Sequence, residues 1–122
     1  MKIDASGNRI WQKLIGSEEA ARFYEVIIDL DGNIYIVGQT YDNADWDGFL
    51  AKYKADGERL WFKQFGSGEH PFGTDKAYGI TTNQSGKIHI TGYTTGSLDN
   101  QLKDNPDRDV FILVFDSDGN QQ

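Results

Sequence analysis

Along this chain, short stretches in which apolar or β-branched residues alternate with polar ones are separated by polar turns that contain glycine. Alternation at period two marks a strand with one face buried, and it predicts eight principal strands at residues 9–15, 23–29, 33–40, 48–54, 59–65, 77–82, 87–94 and 110–116. The turns between them include DASGN (4–8), DLDGN (29–33), KADG (54–57), NQSG (83–86) and DSDGN (116–120). Their glycines supply the positive φ that a tight hairpin needs.

The pattern is stated twice. YEVIIDLDGNIYIVGQT at 24–40 returns as YGITTNQSGKIHITGYT at 78–94, with Tyr, Gly, Ile, Ile, Gly and Thr recurring 54 positions later. WQKLIGS from Trp11 returns as WFKQFGS from Trp61, and Asp47-Gly-Phe-Leu returns as Asp109-Val-Phe-Ile. A repeat of about 50 residues signals a solenoid, a propeller or an array. Four strands per repeat in up-and-down order, the outermost carrying Trp and a Gly-Ser exit, describe a propeller blade with strands a (inner) to d (outer). The first set is a at 23–29, b at 33–40, c at 48–54 and d at 59–65; the second has a, b and c. Residues 9–15 match 59–65 in type, so the chain reads d-abcd-abc. The expected fold is all-β, with two four-stranded antiparallel blades in a single unit spanning 1–122. Blade one lies at about 22–66 and blade two at about 76–122, the second completed by strand 9–15 of the same or a neighbouring chain.

The signposts Tyr-Gly-Ile, Gly-Asn-Ile-Tyr, Gly-x-Thr, Asp-x-Phe, Lys-x-x-x-x-Gly and Leu-Trp resemble those of SBBP, a bacterial β-propeller repeat family. The resemblance runs over nearly the whole chain, and both repeats carry it. It implies the propeller fold. Because such repeats occur in varied cell-surface and secreted proteins, it also implies a parent protein at or beyond the cell surface.

Composition fits a globular β fold: 38% hydrophobic and 13% aromatic residues over 122 positions are enough for one ordinary core, with fourteen glycines against two prolines. The formal charge of -7 repels phosphate backbones and anionic membranes, which argues against nucleic acid as a partner. With no cysteine there is neither a disulfide framework nor a thiolate site, which is compatible with any redox compartment. No apolar run approaches the ~18 residues of a membrane span, and MKIDASGNRIW at the amino terminus lacks the apolar stretch of a secretory signal, so the chain as given is expected to be soluble.

A blade buries its faces only against neighbouring blades, and a closed propeller has about four to eight of them. Two blades alone would expose two apolar sheet faces. The expectation is therefore a homo-oligomer, a trimer or tetramer closed head to tail into a ring. The alternative is a segment of a longer propeller with no ligand of its own, which the near-duplicate DASGN and DSDGN would also fit.

In an up-and-down blade the a–b and c–d turns share one face, and the d–a and b–c loops share the other. The repeats differ in length only on the second face: Gly16 to Tyr24 is 8 positions against 12 from Gly66 to Tyr78, and Thr40 to Asp47 is 7 against 15 from Thr94 to Asp109. Loops lengthen without disturbing a scaffold, and function concentrates on them. The candidate ligand-binding residues are thus Glu69, His70, Phe72, Asp99, Asn100, Gln101, Lys103, Asp104, Asp107 and Arg108, with Trp46 from the shorter loop. Rings flanked by carboxylates and amides suit a carbohydrate, since rings stack on apolar sugar faces while polar groups take hydroxyls. A protein surface is the other expected ligand, and plain solvated loops are the bland alternative.

Asp45 and Asp47 recur as Asp107 and Asp109 before strand c. Such carboxylate pairs offer oxygen ligands to calcium, although Asp at the start of a strand more commonly caps loop amides. No cofactor is assigned. Catalysis has little to work with: His89 stands where the first repeat has Tyr35, and His70 lies near Ser67 and Glu69 only along the chain, whereas a triad is recognised by geometry. Two carboxylates among Glu69, Asp99, Asp104 and Asp107 at the right separation would make a glycosidase-like hydrolase, the alternative to a non-enzymatic binding or scaffold module. Trp11 and Trp61, at matching positions, read as core or interblade packing.

Overall fold

A computed structural model describes residues 1–12, 14, 20–42, 45–66, 74–95 and 109–122. Among them the chain forms nine strands and no helix: β1 (Lys2–Ile3), β2 (Arg9–Trp11), β3 (Ala20–Ile28), β4 (Ile34–Asp42), β5 (Asp45–Tyr53), β6 (Arg59–Phe65), β7 (Asp75–Thr82), β8 (Ile88–Thr94) and β9 (Asp109–Phe115). Each strand pairs antiparallel with its sequence neighbour, giving a hairpin β1-β2, a four-stranded sheet one in the order β3-β4-β5-β6 and a three-stranded sheet two in the order β7-β8-β9. The β1 strand was not legible as a strand, since two residues carry no alternation. The expected strand at 9–15 is described as far as Trp11, and it pairs with β1. No helix among the described residues is long and apolar enough to cross a membrane.

The turns are set by one residue each. In the turn after β3, Asp29 Oδ1 accepts the N–H groups of Asp31 and Asn33 (3.0 and 2.9 Å), while its Oδ2 accepts from the Asn33 amide and the Tyr35 hydroxyl. Asp4 and Asp116 make the same pair of backbone contacts, and Asn83 makes them with its amide oxygen. A short polar side chain that binds the backbone two and four residues on holds the reversal without help from the core.

A second repeated device sits in the inner strands. The β3–β4 register skips one residue between Phe23 and Glu25, and the β7–β8 register skips one between Ala77 and Gly79, so Tyr24 and Tyr78 are the extra residues of two equivalent bulges. At each bulge the backbones crowd together. A Cβ at Gly38 would collide with the Arg22 carbonyl oxygen, and one at Gly92 with that of Lys76. Glycine at these two positions is what lets the bulges form.

The sheets pack through unlike faces. Tyr35, Val37 and Leu50 of sheet one, backed by Ile27, Trp61 and Phe65, meet Ala77, Ile80, Ile88, Ile90, Phe111, Leu113 and Phe115 of sheet two. The other face of sheet one carries Ile34, Phe49, Ala51 and Tyr53, with Trp11, Ile36 and Phe62 packed against them. Strand alternation puts Val26 and Ile28 on this same face, and Phe23 joins them through its pairing with Gly38; all three are at least half exposed. On the far face of sheet two, Val110 and Ile112 alternate with buried Phe111 and Leu113 and stand 82% and 69% exposed. One more contact crosses between the sheets: Glu25 Oε2 accepts the Ile80 N–H at 2.8 Å.

The hairpin β1-β2 repeats in miniature the outer half of sheet one. Lys2 pairs with Trp11 as Lys52 pairs with Trp61, and Ile3 with Arg9 as Tyr53 with Arg59, each with a register shift between the two rungs. Lys52 Nζ and Trp61 Nε1 both donate to the Ser117 carbonyl of sheet two (3.0 and 3.2 Å). Lys2 Nζ and Trp11 Nε1 both donate to the Ala55 carbonyl of sheet one (both 2.9 Å). The Trp rings lie over Gly57 and Gly119, where a Cβ would press into them. Both tryptophans are therefore packing residues between neighbouring sheets.

Candidate functional site

One end of the two sheets gathers aromatic and charged side chains around the points where the long loops leave. β4 and β5 meet there, with Tyr41 paired to Trp46, and a parallel bridge joins Trp46 to Thr74, just before β7. The Tyr41 and Trp46 rings are 5.3 Å apart, and the Arg22 guanidinium lies 4.9 Å from the centroid of the Trp46 ring. A guanidinium over an indole face is held by the ring quadrupole.

Beside this pair the bulges aim Tyr24 and Tyr78 into one group with Tyr93 of β8. Tyr24 and Tyr78 are 4.8 Å apart between ring centroids, and Tyr78 and Tyr93 are 5.7 Å apart. The Tyr24 hydroxyl is 2.8 Å from Oε1 of Gln39, a buried side chain on β4. The Lys76 ammonium sits 5.9 Å from the Tyr24 and Tyr78 rings and 5.6 Å from that of Tyr93. Burial pushes the Lys76 amine down, but the hydrogen bond with Tyr93 and the phenols of Tyr24, Tyr93 and Tyr78 outweigh it, and its pKa lies above the ordinary lysine value. Lys76 is thus a cation at neutral pH. This group escaped the sequence reading, which looked to the loops. The signal was present in the recurrence of Tyr24 and Gly38 as Tyr78 and Gly92, with Arg22 and Lys76 each two residues before the tyrosine.

Of the candidates read from the sequence, Trp46 is placed on β5, half-buried and in contact with Tyr41 and Arg22 as above. Glu69, His70, Phe72, Asp99, Asn100, Gln101, Lys103, Asp104, Asp107 and Arg108 lie outside the described residues. Asp45 pairs with Asp42 along the β4–β5 ladder. Asp47 Oδ2 accepts from the Gln64 amide at 2.7 Å, and a Cβ at Gly66 would run into the Asp47 carboxylate. Asp109 opens β9 opposite Thr94. Among the described residues no three His, Asp or Glu side chains come together in a way that could hold a metal ion. His89 sits in β8 opposite Thr81 and Val114, away from this end of the sheet.

Residues 60–99, from β6 through β7 and β8, match the family model SBBP, a beta-propeller repeat. The match crosses the junction between the two sheets, and it is shorter than the run of signposts read from the sequence. No curated protein matches the chain.

Proposed function

Because residues 60–99 match a β-propeller repeat, we propose that the chain is a non-enzymatic propeller module whose two sheets are successive blades. It self-assembles head to tail and presents the loops at the Trp46 end for carbohydrate or protein recognition. The observation that carries this reading is the pairing of unlike faces. Val26, Ile34 and Ile36, on the side of sheet one turned away from sheet two, stand 54 positions before Ile80, Ile88 and Ile90, the residues of sheet two that the facing side of sheet one covers. The outer face of sheet one, which the β1-β2 hairpin covers in part and which leaves Phe23, Val26 and Ile28 exposed, is thus the kind that a neighbouring blade covers, and the face left open on sheet two corresponds to the one that does the covering. Two such surfaces on opposite sides of one unit favour a heterologous contact, which closes into a ring when the rotation allows.

Repetition around an axis would give weak loop sites avidity through effective concentration. The module's value would then lie in presentation and not in turnover.

Two charge substitutions test the head-to-tail contact. Val26→Asp and Ile112→Asp each spoil one face, so each variant alone is expected to be monomeric. Mixed together they retain one good pair of faces and are expected to form a one-to-one complex, read by native mass. A face that pairs with itself would give no rescue on mixing, and that result would overturn the head-to-tail reading.

A further inference from the structure

Three strand pairs in this chain start alike. Tyr53 pairs with Arg59 across the turn KADGE, Ile3 with Arg9 across DASGN, and Phe115 with Gln121 across DSDGN. The first pair opens the outer half of sheet one, where β5 and β6 run together for six rungs. The other two are incomplete in opposite ways. β2 has a two-residue partner in β1, whereas β9, seven residues long, is the edge of sheet two among the described residues. On its outer side β9 meets Gln121 by one bridge and takes the Gln122 N–H at the Val114 carbonyl (2.8 Å). Such an edge presents backbone donors and acceptors that another strand can take.

The head-to-tail contact brings these two incomplete pairs to one place. Lys2 Nζ and Trp11 Nε1 bind the Ala55 carbonyl of sheet one as Lys52 Nζ and Trp61 Nε1 bind the Ser117 carbonyl of sheet two. The hairpin β1-β2 therefore sits on sheet one where the outer half of a preceding blade belongs. In the ring that blade is sheet two of a neighbouring copy, and its Val114 and Phe115 fall on the place of Lys2 and Ile3. Two strands cannot hold one place.

The anchors decide which of them leaves. The turn at 116–120 is fixed to sheet one of its own chain, with the Trp61 ring over Gly119 and two bonds on the Ser117 carbonyl. At Gly7, the equivalent of Gly119 in the first hairpin, an added Cβ would meet nothing within 4 Å. The strand beyond that hairpin is the kind that β9 lacks. RIWQKLI at 9–15 matches RLWFKQF at 59–65, and by that register Leu14, 96% exposed, stands opposite Phe111 as Gln64 stands opposite Phe49. The same register gives β2 and the residues after it six rungs on β9, where β1 gives two.

We propose that β1 stands in for a strand of a second copy: on assembly, β9 of one chain displaces β1 of the next and takes β2 as its fourth strand. Trp11 keeps the Ala55 carbonyl, Lys2 releases it, and Arg9 replaces Gln121 opposite Phe115. This inference rests on the head-to-tail reading above and adds the strand exchange that joins the copies. Because β1 has to leave, the stability of the β1-β2 hairpin opposes assembly.

The chain has no cysteine, so a disulfide placed at the opposed pair Ile3 and Arg9 can lock β1 onto β2. By native mass, the Ile3→Cys/Arg9→Cys variant is expected to be a monomer when oxidised and to form the wild-type ring when reduced. Asp4→Ala removes the acceptor of the Ser6 and Asn8 N–H groups and loosens the hairpin that leaves. It should lower the concentration at which rings form by about fivefold, the worth of exposed hydrogen bonds to a carboxylate. Asp116→Ala loosens the turn that stays, and it should raise that concentration or leave it unchanged. An oxidised variant that assembles as the reduced one does would overturn the exchange and leave the head-to-tail reading standing. A wild-type chain that is monomeric at every concentration would sink both. Should the reduced variant fail to assemble, the direction of the Asp4→Ala shift decides alone: weaker assembly than wild type would make the first hairpin part of the interface and overturn the proposal.

Discussion

Sheet one and sheet two share a backbone plan and differ in what their side chains are asked to do. The bulge, the glycine opposite it and the turn closed by an Asp or Asn side chain occur in both. At matching positions, however, sheet one has Glu25, Tyr35, Gln39 and Leu50 where sheet two has Gly79, His89, Tyr93 and Ile112. The first set belongs to the face that sheet two covers, and the second to the outer face of sheet two, where Ile112 is 69% exposed. Geometry in this molecule is set by a few glycines and turn residues, and burial by whichever face has a neighbour.

The shared part is the most sensitive to change. Gly38→Ala and Gly92→Ala each drive a Cβ into a backbone oxygen that cannot rotate away. Each is expected to cost about 3 kcal/mol or more, in the range of severe overpacking. Equal losses in the two sheets, measured as shifts in urea midpoint, would confirm that the bulge is common property.

Burial separates the sheets next. Leu50 is wholly buried, while its counterpart Ile112 is 69% exposed. Leu50→Ala should cost about 2–5 kcal/mol as a cavity forms within the chain, whereas Ile112→Ala should stay within about 0.5 kcal/mol in a monomer such as the Val26→Asp variant and cost more only in the assembled ring, where a neighbouring sheet covers it. A small effect of Ile112→Ala in the assembled protein would show that the face is uncovered in solution.

Glu25 has no counterpart, since sheet two has Gly79 there. Glu25→Ala leaves the Ile80 N–H without its acceptor across the sheets, and about 1–3 kcal/mol is expected for a half-buried donor left unmade. Gly79→Ala should not reproduce that loss.

The smallest effect is one of pH. At Asp29, desolvation pushes the carboxyl up, but the Asn33 and Tyr35 contacts outweigh it and hold the pKa below the ordinary 3.8. Asp4 and Asp116 are lowered by their backbone and side-chain bonds to Asn8 and Asn120. A depressed carboxylate stabilises the fold above its unfolded pKa and loses that contribution as pH falls from about 3.8 through the folded value. Sheet two closes its equivalent turn with Asn83, which does not titrate. Asp29→Asn should therefore copy Asn83 and flatten the acid limb of stability against pH, leaving the neutral-pH value within about 1 kcal/mol.

Much of this plan was open to sequence reading because it is periodic. Alternation placed β3 to β9 to within about three residues, and the glycine turns marked their ends. The bulges were not legible. Each adds one residue inside a strand, and the alternation simply resumes out of phase, so Tyr24 and Tyr78 read as ordinary strand positions. Loop length pointed to the Trp46 end of the sheets, while Lys76 and Arg22 went unnoticed because a cation on an inner strand takes its meaning from rings on another strand. The hairpin β1-β2 was half legible: Trp11 matched Trp61, but Lys2 gains its role only from the carbonyl of Ala55 across space.

The central claim is that the outer faces of the two sheets are made for each other. Native mass by light scattering coupled to size exclusion tests it most directly, over a range of protein concentrations. A single trimeric or tetrameric mass is the result this account predicts, with about six or eight blades in the ring. A monomer at every concentration would contradict it, because both apolar faces would then be stable in water without a partner.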